Sequence, residues 1–292
     1  MDEEERYVDF IDVISEGTKH MRELYQKEYG EIKGIPTGLI DVDRILGALR
    51  KKDLILLASR PGMGKTTWAL SVARVVAIKN KVLFFSIDMT NAQLGEKLFT
   101  MAYGVNPERI QNRDFPKEFL EDSFNCKYWS TIDMAVSRVF TPAEIKKECR
   151  HFKREKNGLD LVVIDYLQLL SMGGYRTDQR EAELAAIIKS LKIMAEELDC
   201  TVLLLSQLSK EPDQREYDHM PRLSDIRDYD RIEQDTDVVI LLYRDDYYSS
   251  DSRSNKAGGS KIGTCIVNVA KNRNGSTGIA KLYWSPAHQY YW

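Results

Sequence analysis

Gly64-Lys-Thr66 is the stretch with the clearest chemistry. It closes the segment Ser59-Arg-Pro-Gly-Met-Gly-Lys-Thr66, which follows the apolar run Leu54 to Ala58. An apolar run, a glycine turn and Gly-Lys-Thr at the start of a helical pattern form the context of a phosphate-binding loop. Gly62 and Gly64 let the backbone wrap closely around phosphates with its N–H groups turned inward. A helix starting near Lys65 adds the positive end of its dipole. Lys65 is placed for the β- and γ-phosphates, and the Thr66 hydroxyl for Mg²⁺. Residues Ser59, Arg60, Pro61, Gly62, Met63, Gly64, Lys65, Thr66 and Thr67 are therefore the expected nucleotide-binding set. Ser59 stands where such loops usually carry their first glycine, and a plain strand-to-helix turn is the competing reading.

Three further polar residues end apolar runs: Asp88, Asp165 and Gln207. In open α/β folds, ligands lie at the carboxyl ends of strands. Asp165 closes Leu-Val-Val-Ile-Asp, the pattern of a carboxylate that holds Mg²⁺ directly or through water. Asp88 can orient or deprotonate an attacking water; it can equally be an acid near the start of the next helix. Gln207 can sense a γ-phosphate. Downstream, Lys271-Asn-Arg273-Asn-Gly275 puts two cations beside a tight turn. They can reach a phosphate bound by another subunit as an arginine finger, or decorate an exposed hairpin. Arg222 to Arg231 mixes arginines with acids, as a solvated loop would.

The elements that must position these residues alternate. Strands are expected at Leu54–Ala58, Lys81–Asp88, Asp160–Tyr166, Thr201–Ser206, Val238–Tyr243 and Thr264–Ala270. Gly278–Trp284 should return as an edge hairpin after the Asn274-Gly275 turn. Helices are expected over residues 40–49, from Thr90 (a Thr-x-x-Gln box) to Tyr103, from Thr141 (Thr-Pro-Ala-Glu) to Lys156, and from Glu181 to Leu198. Residues 104–135 read as helical and irregular, and the polar stretch Ser249–Ser260 as a mobile loop. The expected fold is α/β, with a mostly parallel central sheet covered by helices on both faces. Residues 6–29 form a separate amphipathic pattern, with Tyr7, Phe10, Ile11, Ile14, Met21, Leu24 and Tyr25 on one face. It packs on its own domain or docks on a neighbouring subunit. This divides the chain into a linker helix, 1–30, and an ATPase domain, 31–292.

Composition sets limits. The 292 residues carry 42 Lys and Arg against 45 Asp and Glu, a net charge of −3. A nucleic-acid binder with this charge needs a local basic channel. The four cysteines form no Cys-x-x-Cys pair, as expected of reduced thiols in a cytoplasmic protein. Four scattered histidines argue against a His-based metal site. The acidic N-terminus lacks the pattern of a signal peptide, and no apolar run approaches a membrane span.

With these residues in place, the chain resembles the DnaB-type replicative DNA helicases in their C-terminal RecA-like motor. The resemblance runs from about Ile11 to the end. It rests on Gly34-Ile-Pro-Thr-Gly38, the Ser59–Thr66 loop, Phe85-Ser-Ile-Asp-Met89, Val163-Ile-Asp-Tyr-Leu-Gln168, Leu205-Ser-Gln-Leu208, Ser224-Asp-Ile-Arg227, Ile232-Glu-Gln-Asp235, Leu242-Tyr-Arg-Asp-Asp-Tyr-Tyr248 and Ala270-Lys-Asn-Arg-Asn-Gly275. It implies a RecA-like P-loop NTPase that uses ATP and Mg²⁺. It also implies a hexameric ring that moves 5′→3′ on single-stranded DNA and unwinds duplex, with a primase and a helicase loader as partners. By motif, it makes Thr66 and Asp165 the metal residues and Asp88 the catalytic acid. Gln207 becomes the γ-phosphate sensor. Lys271 and Arg273 are the residues that enter the adjacent site, and Arg227, Asp228, Tyr229 and Asp230 form the DNA loop. Residues 6–29 match the helix that docks on the next subunit.

Departures from the family pattern matter. The family's catalytic Glu is Asp88 here, drawn back by ~1.5 Å on carbon–carbon bond lengths. A phosphate-facing Arg aligns with Lys97, which keeps the charge but not the bidentate fork. Asp228 and Asp230 replace a Glu and a Gly. The family's N-terminal collar has no counterpart in the 292 residues, so a motor fragment and a natural short form are both expectations. A RecA-like recombinase or clock-type ATPase is disfavoured by the Asp-Ile-Arg and Arg-Asp-Asp-Tyr-Tyr blocks. A nucleotide-binding assembly subunit with little turnover is the alternative that Asp88 keeps open.

Overall fold

Leu54–Ser59 (β1) is buried at every position. Its side chains alternate between two cores: Ile55 and Leu57 enter one, and Leu54, Leu56 and Ala58 the other. A strand apolar on both faces belongs in the middle of a layered sheet. The computed structural model places it there. It describes residues 11, 14, 15, 17–19, 34–112, 114, 133–173, 179–216, 218–226, 232–248, 263–285 and 290–291.

The other strands are Val82–Ser86 (β2), Met134–Ser137 (β3), Leu161–Asp165 (β4), Thr201–Gln207 (β5), Val238–Tyr243 (β6), Gly263–Asn272 (β7), Gly278–Ser285 (β8) and Tyr290–Tyr291 (β9). They form one sheet in the order β3-β2-β4-β5-β1-β6-β7-β8-β9. Pairing is parallel from β3 to β6 and antiparallel from β6 to β9. The mostly parallel sheet expected from sequence is therefore observed. The chain leaves β1 for β2, three places away on one side, and later returns to β6 on the other. That reversal opens a crevice at the carboxyl ends of the central strands.

Helices cover both faces. Ile40–Leu46 (α1), Lys65–Val76 (α2) and Asn91–Tyr103 (α3) contribute Val42, Leu46, Trp68, Val72, Leu94 and Met101 to the first core. After the short Pro107–Gln111 (α4), Pro142–Glu155 (α5) and Arg180–Leu198 (α6) supply Ile145, Phe152, Ile187, Ile188 and Leu191 to the second. Each such burial contributes roughly 1.5–3 kcal/mol relative to exposure. The starts of α3 and α5 are those read from sequence. Thr90 caps with Gln93, and Thr141 caps with Glu144 ahead of Pro142.

Two strands were not expected. Met134–Ser137 (β3) begins at the end of the stretch 104–135 read as helical and irregular and runs two residues past it. It is a four-residue, half-exposed edge strand, too short for its alternation to signal locally, and its pairing with β2 defines it. β9 has two residues and exists through its contact with Trp284 and Ser285. Helix α1 is also shorter than expected, because Gly47 takes a left-handed conformation (φ 75°) and ends it.

Cys149, Cys200 and Cys265 are buried free thiols. Burial pushes Cys200 and Cys265 up to about 12. Residues 1–33 form a compact unit separate from 34–292. Its described residues, 11, 14, 15 and 17–19, are helical, with Ile11 and Ile14 exposed. The rest of the expected 6–29 helix and the Ser249–Ser260 loop, like Cys126, lie outside the described residues.

Candidate nucleotide-binding site

The loop after β1 reaches α2 through Gly64, whose left-handed φ of 91° serves as the helix N-cap. A Cβ on Gly64 would lie 2.2 Å from the Tyr291 hydroxyl, and one on Gly62 2.9 Å from the Tyr247 ring. Both positions therefore exclude side chains for two reasons, backbone conformation and close approach. Tyr291 Oη donates to the Met63 carbonyl at 3.0 Å and fixes the loop from the C-terminal edge of the sheet.

A cleft of about 430 Å³ opens above this loop. Pro61, Gly62, Gly64, Lys65, Thr66 and Thr67 line its floor. Asp88, Lys97, Asp165 and Gln207 come from the turn after β2, from α3 and from the ends of β4 and β5. Thr66 Oγ1 donates to Asp165 Oδ2 at 2.7 Å. Lys65 Nζ donates to the Ser59 carbonyl at 3.3 Å. The Ile87 N–H bonds the Asp165 carbonyl at 3.0 Å, joining the ends of β2 and β4 beside Asp88. Gln207 is held by its backbone. Its N–H donates to Gln168 Oε1 at 3.1 Å, and Gln168 Nε2 returns a bond to the Gln207 carbonyl at 3.2 Å.

The electrostatics follow from burial. Desolvation lowers the Lys65 ammonium to about 8, opposed by Asp165. Lys97 is lowered mainly by burial as well. The Asp165 carboxyl is raised, first by burial and also by Asp88, against the Thr66 bond, Lys65 and Lys97. Lys65, Lys97 and Asp165 are thus desolvated together in a cleft that the exposed Asp88 also lines. Such a site gains from a ligand that brings both an anion and a divalent cation. The Thr66 hydroxyl and the Asp165 carboxylate are adjacent hard oxygens, the donor set that suits Mg²⁺ shared with phosphates.

Not every expected residue reaches the cleft. Arg60 turns away: Nε and Nη2 bond Asp213 Oδ2 at 2.8 and 2.6 Å, and Nη1 bonds the Leu208 carbonyl at 2.9 Å. The Ser59 hydroxyl donates to the Arg60 carbonyl at 2.8 Å, and Met63 is buried. These three side chains brace the loop and do not line it. Lys271 and Arg273 lie at the opposite end of the sheet. Asn272 pairs with Val238, which neighbours Ile55 at the start of β1. A strand length, roughly 15 Å at ~3.3 Å per residue, separates them from their own chain's loop. The expected DNA residues Arg227, Asp228, Tyr229 and Asp230 lie outside the described residues.

The sequence reading missed Tyr166, Arg244 and Trp284, which also line the cleft. Arg244 is paired with Asp246 at 2.6 Å and sits over the Trp284 ring, 5.2 Å from its centroid. Its Arg-Asp-Asp-Tyr-Tyr motif was visible, but its place at the mouth was not. Trp284 and Tyr291 approach a loop more than 200 residues away, and nothing local signals that.

Comparison with known proteins identifies relatives of this fold. Residues 34–291 match the model of the DnaB-like helicase C-terminal domain. The chain is 35% identical over 285 residues to the replicative DNA helicase DnaB of Geobacillus stearothermophilus, covering 93% of this chain and 59% of that one. It is 34% identical over 285 residues to the replicative DNA helicase DnaC of Bacillus subtilis (strain 168), with the same coverage. It thus spans about three fifths of the length of these relatives. Among solved structures, an ATPase domain superposes with a TM-score of 0.84 at 32% identity, covering 95% of this chain and 97% of that one. A DnaB-like replicative helicase, solved in a study of its interactions with primase, gives 0.81 at 30%, covering 96% and 70%. From residue 34 onward the chain is matched by that family model, and the chain belongs to the DnaB-like helicase C-terminal domain family.

Proposed function

We propose that this chain is the ATP-hydrolysing motor of a replicative DNA helicase, working as a hexameric ring that moves 5′→3′ on single-stranded DNA. The observation that carries the proposal is a divided site. Lys65, Thr66, Asp88, Lys97, Asp165 and Gln207 converge on one cleft. Lys271 and Arg273, the cations suited to a transferring phosphate, sit a strand length away. The pair does not reach its own chain's cleft, and a head-to-tail ring would bring it to a neighbour's.

In this reading the loop amides and Lys65 hold the β- and γ-phosphates. Thr66 and Asp165 would hold Mg²⁺, which when bound would neutralise phosphate charge. Asp88 orients the attacking water, and Arg273 of the adjacent subunit meets charge that develops on the transferring group. Gln207, on the last residue of β5, senses the γ-phosphate. Arg227 and its neighbours take the DNA backbone, and the 1–30 helix docks on the next subunit. A primase is a further proposed partner, since a structurally similar helicase was studied with one. Among the described residues no helix is long and apolar enough to cross a membrane.

The test is ATP turnover with and without single-stranded DNA, beside DNA binding of the parent and Arg227→Ala. Turnover stimulated by DNA, with DNA binding weakened in the variant and ATP binding intact, supports the motor. Slow turnover indifferent to DNA favours a second reading, a nucleotide-binding assembly subunit. Its specific support is Asp88, a carboxylate one methylene shorter than the family's Glu.

A further inference from the structure

Lys271 and Arg273 are long side chains at the end of β7, yet both are held. Lys271 Nζ donates to the Glu233 carbonyl and, at 2.8 Å, to the Thr236 carbonyl. Arg273 Nη2 donates to the Gln234 carbonyl, and Nη1 faces Asp237 Oδ1 at 3.4 Å. The Arg273 backbone N–H bonds the Asp237 carbonyl at 2.9 Å. Asp237 is itself anchored. Its Oδ2 accepts from Leu54 N–H at 2.7 Å and from Lys192 Nζ at 2.8 Å, and its own N–H bonds the Leu54 carbonyl at 3.0 Å. The Asp237 side chain is 6% exposed, while that of Arg273 is 41% exposed.

We propose that Asp237 is a positioning residue for Arg273. It fixes the guanidinium to the first residue of β1, so that one strand carries a subunit's phosphate loop at one end and its finger at the other. The inference rests on the reading of Arg273 as a finger for the neighbouring site. A free arginine samples many rotamers, and ordering it at the moment of reaction raises the barrier. Here two of its donors are engaged in advance, and the rest of the fork stays exposed. The carbonyls of Glu233 and Thr236 do the same for Lys271. The Asp237 charge is shared with Lys192 and the Leu54 amide, so it orients Arg273 without cancelling it. The same carbonyls belong to the segment that directly follows the proposed DNA loop in sequence, so a shift of that segment would displace both cations.

The test uses Asp237→Asn in the full chain, which keeps an acceptor for the Leu54 amide but loses the charge that holds Arg273. The kcat for ATP should fall about 10- to 100-fold, the scale of a misplacement of roughly 1 Å. The KM should stay within about twofold, because Asp237 is remote from its own cleft. Mixing these subunits with Lys65→Ala subunits should restore turnover, since the latter lend intact fingers to intact phosphate loops. A purely structural defect would not be rescued in trans, so a kcat loss that mixing leaves unchanged overturns the proposal. Normal turnover of Asp237→Asn beside a slow Arg273→Ala overturns it and spares the finger. Normal turnover of Arg273→Ala removes the finger and the proposal together. If Asp237→Asn does not fold, Asp237→Glu takes its place. It keeps the charge, displaces the carboxylate by ~1.5 Å, and must show the same rescued loss.

Discussion

The Thr66 hydroxyl donates to the Asp165 carboxylate at 2.7 Å and joins residues 99 positions apart in sequence. The bond ties the first turn of α2 to the end of β4. It places two hard oxygens side by side where the phosphates of a nucleotide would end. Neither residue is a site alone; their adjacency is what makes a divalent cation fit.

Thr66→Ala should therefore separate the metal from the phosphates. Affinity for the nucleotide with Mg²⁺ is expected to fall about tenfold or more, ~1.4 kcal/mol. Affinity in EDTA should change little. Titration of a fluorescent ATP analogue in both buffers checks this, and equal losses in both would assign Thr66 to the phosphates instead.

Arg273→Ala should cut turnover by ~10³-fold, the low end of what an arginine finger supplies. ATP affinity should hold, because the residue contacts charge formed in the transition state. Mixed with Lys65→Ala subunits, it should regain part of the activity that neither shows alone. Parent-like hydrolysis by the variant would remove the shared site.

Asp88→Glu restores the length that the family uses. If Asp88 orients water, the longer side chain should raise turnover by roughly tenfold, up to about 100-fold, with ATP affinity unchanged. Single-turnover hydrolysis measures it. A slower variant would mean that the backbone here is set for Asp.

Asp53 supplies a pH dependence. Burial, and then the charge of Asp237, raise its carboxyl to about 6, against Lys192, Arg50 and the Asn274 amide. A carboxyl raised on folding adds stability that is full below about pH 4 and lost as pH rises through about 6. Asp53→Asn should thus stabilise the protein at pH 8, by at most about 3 kcal/mol at ~1.4 kcal/mol per pH unit of displacement. The gain should shrink towards pH 5. Urea midpoints at the two values decide it, and an equal gain at both would trace the effect to packing.

The sequence by itself determined the glycine loop between β1 and α2, the ends of β4 and β5, the capped starts of α3 and α5, and the alternation that makes a layered α/β sheet. Each is a local matter. The apolar runs of β1 and β4 need only their own residues to demand burial on both faces, and the Thr90 and Thr141 boxes close within four residues. Tertiary structure alone decided the rest. Arg60 sits inside the loop motif yet bonds Asp213, because a side chain's direction depends on what folds beside it. Tyr291 reaches the loop, and Trp284 the cleft, only because β8 and β9 complete the sheet next to a loop more than 200 residues away. β3 is a strand because β2 offers an edge. The separation of Arg273 from its own phosphate loop was equally unreadable. Motif spacing counts residues along the chain, whereas antiparallel pairing of β6 with β7 carries Arg273 back to the amino end of β1.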